Sequence, residues 1–206
     1  MARRRFLLAS ALACCLPRGA ARAESRQAAG RVAARDGSVT AIRAEGDRPL
    51  EPGDPLYRGD QIRTGPGAKL RIECDGGLVI VIGPQTEIGI DDYLPPQDGS
   101  GLGVVLGLLT GIVRLVGPAR PPQRLEVRTR VALAAVRSTD WLVDAGPSGT
   151  AVFAREGRVE VRGTAGGAVV LLEPGFGTDV APGRPPEPPH VWGAARRDAA
   201  LAQTTL

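Results

Sequence analysis

Short runs that alternate apolar and polar residues fill the stretch from residue 60 to residue 93, and they constrain the fold most. Leu70, Ile72 and Cys74 interleave with charged residues, and this period of two predicts a β-strand. After a turn at residues 75–77, the unbroken apolar run of residues 78–82 is typical of a strand covered on both faces. The connections are too short for crossover helices, so we expect antiparallel pairing or a solenoid-like coil.

The rest of the chain repeats this pattern. Asp36-Gly37 separates two apolar runs and is a strong cue for a β-hairpin. Residues 104–116, VVLGLLTGIVRLV, fit either a short helix or two strands broken at Thr110-Gly111, but Gly107 and Gly111, with Gly103 just before them, disfavour a helix. We therefore predict an all-β fold of many short strands, arranged as a twisted β-solenoid or as a two-sheet β-sandwich.

The N-terminus has the pattern of a signal peptide over residues 1–23. Three arginines precede an apolar segment, and Ala21-Arg22-Ala23 offers a cleavage site near Ala23. The segment also fits a twin-arginine signal, so export by either the Sec or the twin-arginine route is open. The apolar segment is too short to span a bilayer, so we expect a periplasmic or secreted protein with no transmembrane span in its mature chain.

The basic character of the chain belongs to this signal peptide. The whole chain has 26 basic and 22 acidic residues, and five of the arginines lie within residues 1–23. The mature chain is therefore close to neutral and has no block of Lys or Arg, which argues against nucleic-acid binding.

Few residues could carry chemistry. The single His, His190, lies near the C-terminus, so a Ser-His-Asp or Cys-His system has no imidazole in the central part of the chain. Cys74 is alone once Cys14 and Cys15 leave with the signal peptide, so neither a disulfide nor a Cys/His metal cluster is expected. We predict no catalytic, cofactor-binding or metal site, and hence no enzyme. Asp91-Asp92 near Glu87 lacks a calcium-loop pattern, and solvated turn charges explain these carboxylates better.

One polar group lies between two apolar runs and is the candidate site. It consists of Arg137, Thr139, Asp140 and Trp141. In one interpretation, Arg137 pairs with Asp140 across a turn that Thr139 caps, and the group holds two strands together. In the other, the same group contacts a partner protein, with Trp141 as the anchor. The sequence favours the first interpretation.

An ordered set of turns adds a family resemblance. Gly59-Asp60 and Thr64-Gly65-Pro66 are followed by Asp75-Gly76, Gly83-Pro84, the 137–140 group and Glu156-Gly157. In order and spacing these turns resemble the FecR domain, the periplasmic domain of ferric-citrate-type sigma regulators, over residues 31–183. Ser138 departs from the family's usual Gly.

The segments on either side of this domain are expected to differ from it. Residues 24–30 are expected to form a polar leader, and the Pro-rich tail, residues 184–206, is expected to be disordered or to form a short helix.

The resemblance implies signalling through protein contacts in the cell envelope. Full regulators of this family carry a cytoplasmic sigma-binding segment and a membrane helix before the domain, and a signal peptide at residue 1 leaves no place for them. We therefore expect a stand-alone sensing or scaffold module without cofactors, which binds an envelope protein through an exposed strand edge. A carbohydrate- or cell-wall-binding protein is the alternative, and the oligomeric state is open.

Overall fold

The computed structural model describes residues 27–43, 46–96, 101–117, 122–136 and 140–206. In this part of the chain the fold is built almost entirely of strands, which confirms the all-β class. The first half holds β1 (Ala28–Asp36), β2 (Val39–Ile42), β3 (Arg48–Pro49), β4 (Pro55–Tyr57), β5 (Gln61–Thr64), β6 (Lys69–Glu73), β7 (Val79–Ile82) and β8 (Glu87–Leu94). The second half holds β9 (Gly103–Val116), β10 (Arg124–Arg128), β11 (Ala132–Val136), β12 (Asp140–Gly146), β13 (Gly149–Glu156), β14 (Val159–Gly163), β15 (Val170–Leu172), β16 (Phe176–Val180), β17 (His190–Val191) and the helix α1 (Ala194–Gln203). The predicted signal peptide lies outside the described residues.

The strands form two sheets around one core. Sheet A has the order β4-β1-β6-β7-β9-β12-β13-β16-β17. Sheet B has the order β3-β2-β5-β8-β9-β10-β11-β14-β15. Alternate side chains of both sheets point inward into one apolar cluster, as the period-two pattern predicts. The two sheets are continuous with each other through β9, so the described strands form one large mixed sheet that is not closed.

Strand β9 belongs to both sheets. Its first half pairs with β8 and β10 in sheet B, and its second half pairs with β7 and β12 in sheet A. The expectation of two strands broken at Thr110-Gly111 is therefore wrong, because the strand kinks there and continues. Gly111 has φ +91°, and a Cβ on it would lie 2.2 Å from Thr86 Oγ1. Glycine permits both the backbone conformation and the close approach of Thr86.

The predicted hairpin at Asp36-Gly37 is also wrong. The turn exists, with Gly37 at φ +67°, but β1 pairs in sheet A and β2 pairs in sheet B. The chain turns a corner between the sheets because Val32 and Val39 bury their side chains in the same core from opposite sides. β1 begins at Ala28, inside the predicted polar leader, since Ala28–Arg31 pair with the edge strand β4.

The tail is part of the fold. β17 extends the edge of sheet A, and α1 then crosses the outer face of that sheet. Trp192 and Ala200 bury their side chains there against Ile112, Leu142 and Phe153. Of the two states expected for the tail, the structure shows the short helix. No helix among the described residues has the length and hydropathy needed to cross a membrane.

Candidate functional site

The predicted site is only partly within the described residues. Arg137 and Thr139 lie outside them, so the pairing of Arg137 with Asp140 and the capping by Thr139 stay predictions. Asp140 begins β12, and Trp141 follows it with its side chain fully buried in the core between the sheets. In this conformation Trp141 packs the core and offers no indole surface to a partner.

Asp140 lies at the centre of an ion-pair network on the outer side of sheet A. Its side chain is 6% exposed, and it accepts hydrogen bonds from Arg114 Nε at 2.7 Å and Arg114 Nη2 at 2.6 Å. Arg155 Nη1 donates a further bond at 2.5 Å. Burial alone would raise the pKa of Asp140, but the hydrogen bonds from Arg114 and Arg155 outweigh it and lower that pKa below its usual value. The ionised carboxylate thus joins three neighbouring strands.

Sequence reasoning missed both arginines. A signal for Arg114 was present, because it is the one charged residue in the apolar run of residues 104–116. A charge held within a buried strand needs a carboxylate partner, which predicts an acidic residue nearby. The sequence does not identify that partner, because Asp140 is 26 residues away and on another strand.

A second buried carboxylate explains the Gly59-Asp60 motif. Asp60 is 3% exposed and accepts hydrogen bonds from Arg43 Nε at 2.9 Å and Arg43 Nη2 at 2.6 Å. The backbone N–H of Tyr57 donates to the same carboxylate at 3.1 Å, and the Arg43 guanidinium lies 5.4 Å from the centre of the Tyr57 ring. The motif therefore fastens the turn between β4 and β5 to the end of β2.

The two Gly-Pro turns are joined by threonine hydroxyls. Thr64 Oγ1 donates to the carbonyl of Gly83 at 2.7 Å and accepts from the N–H of Thr86 at 2.9 Å. Thr86 Oγ1 in turn accepts from the N–H of Ile112 at 3.0 Å. These hydroxyls satisfy buried backbone groups where β5, β8 and β9 meet. The turn motifs therefore serve the fold directly.

The two sheets differ in what covers their outer faces. The tail lies on the outer face of sheet A, whereas outward side chains of sheet B, including Arg63, Arg128 and Arg162, are exposed. At one end of sheet B, Ala135 lies at the base of a pocket of about 520 Å³, which we name the sheet B pocket. Its other lining residues are Gln123, Arg124, Leu125, Glu126, Val136, Arg158, Glu160 and Leu171.

The sheet B pocket has an apolar floor and a charged rim. In the ladder, Ala135 lies between Glu126 and Glu160, and Glu160 is followed by Leu171, whose side chain is 52% exposed. Glu126 accepts a hydrogen bond from Arg124 at 2.9 Å, so the rim carries paired charges of both signs. An apolar centre inside a polar rim is the usual composition of a protein-binding surface.

The other side chains that could bind a ligand or react do not form a common site. Glu87 pairs with Arg63 and Asp92 with Arg58, so these carboxylates face separate arginines. Burial, together with the charge of Asp75, raises the pKa of Cys74 to about 12, so its thiol stays protonated at neutral pH. The aromatic side chains within the described ranges are buried or half-buried, and none is fully exposed.

Comparison with known proteins places the centre of the fold in a family. The family model described as FecR protein matches residues 60–160, a narrower range than the resemblance inferred from the motifs. No curated protein matches the sequence.

Solved structures show the same fold. Two crystal structures of a protein from Parabacteroides distasonis, described as a candidate anti-sigma factor, align with a TM-score of 0.54 at 21% identity, at resolutions of 1.65 and 2.50 Å. The alignments cover 68% of this chain and 64% or 63% of the other, so this chain matches less than two thirds of those chains. Together with the family match, the motifs identify residues 60–160 as a FecR domain.

Proposed function

We propose that this protein is an exported, non-catalytic sensing module of the cell envelope that binds a partner protein through the outer face of sheet B. The observation that carries the proposal is the contrast between the two faces of the FecR domain. The chain covers the part of the outer face of sheet A around Ile112, Leu142 and Phe153 with its own tail, whereas the sheet B pocket and its surroundings face solvent.

The chemistry of this face fits a protein better than a glycan. Ala135 and Leu171 supply apolar surface, and ion pairs such as Arg158–Glu173, at 2.9 Å, surround it. A protein partner can bury the apolar centre and keep contact with the rim charges through its own charges. Sugar recognition usually adds an exposed aromatic ring, which the described residues of this face lack.

Site-specific photocrosslinking in the envelope tests the proposal. A photoreactive phenylalanine analogue replaces Leu171 at the sheet B pocket and, in a matched variant, Val191 on the tail side, where the native side chain is 66% exposed. We expect one discrete protein adduct from position 171, identified by mass spectrometry, and none of that mass from position 191. Equal adducts at both positions, or none at 171, would contradict the choice of surface.

A substitution that fills the sheet B pocket provides a second test of the proposal. Ala135→Arg places a long side chain on the floor of the sheet B pocket and is expected to remove the adduct, whereas Gln61→Arg, exposed at the far end of the same face, is expected to leave it. Binding of the wild-type protein to a glycan array, without any protein adduct, would favour the carbohydrate-binding alternative.

A further inference from the structure

The tail brings three ligand-type side chains together at the edge of sheet A. Asp179 lies on β16, whereas Glu187 and His190 belong to the tail. One ligand atom from each residue lies within 4.8 Å of the other two. Across the described ranges, no other group of three His, Cys, Asp or Glu residues meets this condition.

The backbone holds the two tail residues in place. The N–H of Glu187 donates to the carbonyl of Asp179 at 2.9 Å, and Thr178 Oγ1 donates to the carbonyl of Glu187 at 2.6 Å. His190 is paired with Gly177 in the ladder between β16 and β17. Prolines at 186, 188 and 189 further restrict this segment. The positions of the ligands are therefore largely fixed before any ion binds, which lowers the entropy cost of binding.

The separations suit a small metal ion. His190 Nε2 lies 3.6 Å from Asp179 Oδ2. Two ligand atoms that each bind one Zn²⁺ at about 2.0–2.2 Å lie about 3–4 Å apart, so this pair needs no rearrangement. Glu187 is exposed, and rotation of its side chain can bring an oxygen the remaining distance.

Arg196 forms hydrogen bonds with Asp179 but leaves lone pairs of its carboxylate available to a metal ion. The guanidinium donates to both carboxylate oxygens, Nη1 to Oδ2 at 2.9 Å and Nη2 to Oδ1. Each carboxylate oxygen has two lone pairs, so one on each remains for a metal. Asp144 and Glu187 line the adjoining pocket of about 380 Å³, and neither forms an ion pair with a described residue. The surroundings thus carry more carboxylates than cationic groups.

We propose that Asp179, Glu187 and His190 bind a divalent first-row transition-metal ion, and that this ion fastens the tail to sheet A. One imidazole with two carboxylates is a donor set that suits Zn²⁺ and its neighbours, whereas Mg²⁺ and Ca²⁺ prefer oxygen donors alone. Because one ligand comes from the sheet and two from the tail, the bound ion cross-links the segments. The cross-link lies beside Trp192, which stacks on Phe153 at 4.9 Å.

Calorimetric titration of the untagged mature protein with ZnCl₂, after treatment with a chelator, tests the site. We expect one Zn²⁺ per chain and binding of Mg²⁺ that is at least about tenfold weaker. His190→Asn and Glu187→Gln are each expected to weaken Zn²⁺ binding about tenfold or more. Glu51→Gln, at an exposed carboxylate that pairs with Arg35 away from both proposed sites, is the control and is expected to bind like the wild type. Circular dichroism and melting curves establish that each variant is folded.

Hydrogen exchange tests the fastening separately. Zn²⁺ is expected to slow amide exchange in α1 of the wild type and to leave it unchanged in His190→Asn. Absence of saturable binding, or undiminished affinity in His190→Asn and Glu187→Gln, would overturn the site. Zn²⁺ binding that leaves exchange in α1 unchanged would overturn the role assigned to the ion.

Discussion

Arg114 and Asp140 lie diagonally opposite each other on β9 and β12, and the arginine donates two parallel hydrogen bonds to the carboxylate. Both side chains are largely buried, at 15% and 6% exposure. A bidentate pair in such surroundings is specific in its geometry, and each partner depends on the other for neutralisation. The pair therefore gives the sharpest test of what Asp140 does.

Loss of the Asp140 charge should destabilise the fold strongly. Asp140→Asn leaves Arg114 buried without its counter-ion, and we expect the free energy of unfolding to fall by about 3 kcal/mol. Urea denaturation measures the change. Glu160→Gln, which breaks an exposed pair with Arg162, is the control and is expected to stay within about 0.5 kcal/mol of the wild type. An Asp140→Asn variant of full stability that loses its partner would instead support a contact role.

The same carboxylate should make stability depend on pH in the acid range. The pKa of Asp140 is lower in the folded protein than in the unfolded chain, so its contribution is complete above the unfolded value of about 3.9 and disappears as pH falls through the folded value. We expect the difference in melting temperature between the wild type and Asp140→Asn to be constant near pH 7 and to shrink below about pH 4. A difference that is the same at pH 7 and pH 2.5 would contradict the assignment.

The kink in β9 should require glycine. In Gly111→Ala the new methyl group meets Thr86 and the backbone is held at φ +91°, so we expect a loss of about 2–4 kcal/mol in the free energy of unfolding. Gly146→Ala is the matched control, since a Cβ there meets no atom within 4 Å. Chemical denaturation of both variants checks the prediction, and equal stabilities would show that the strand can pass between the sheets without glycine.

Trp192 should decide whether the tail stays on sheet A. Its ring stacks on Phe153, and the guanidinium of Arg196 lies 4.0 Å from its centre, so Trp192→Ala removes both of these contacts of the tail. We expect faster hydrogen exchange in residues 190–203 and unchanged exchange in β12. Val191→Ala, at an exposed position, is expected to leave exchange unchanged. Uniform acceleration across both sheets would mean that the tail is an integral part of the core.

Cys74 should be unreactive in the folded protein. With its pKa raised to about 12 by burial, hardly any thiolate exists at pH 8, and we expect a thiol reagent such as DTNB to react at least about a hundredfold more slowly than in the urea-unfolded chain. Rapid labelling of the native protein would show that the thiol is accessible and ionised.

Local patterns predicted the strands well but predicted their partners poorly. The alternation of Leu70 and Ile72 with charged residues indicates a strand whatever lies opposite, and β6 forms there. The turn at Asp36-Gly37 gave no information about which sheet each strand joins, since that depends on how distant apolar faces share one core. Residue spacing likewise could not identify Arg155 as a partner of Asp140, because both the charge and the burial come from the assembled sheets.

The position of the tail likewise could not be predicted from local sequence patterns. Prolines and alanines near the C-terminus suggest weak local order, and nothing in residues 190–206 by themselves reveals the surface that accepts Trp192. That surface arises when Ile112, Leu142 and Phe153 from three different strands come together. Tertiary packing therefore orders the tail, although the local sequence of the tail does not determine whether it is ordered or disordered.

One strand hydrogen-bonded into both layers also sets how the molecule bears load. Because β9 pairs with β8 and β10 at one end and with β7 and β12 at the other, neither layer can slide over its neighbour without tearing that ladder. A pull applied at one face is carried through the kink at Gly111 to the opposite face. We therefore expect the two sheets to respond to force as one unit and not as separate layers.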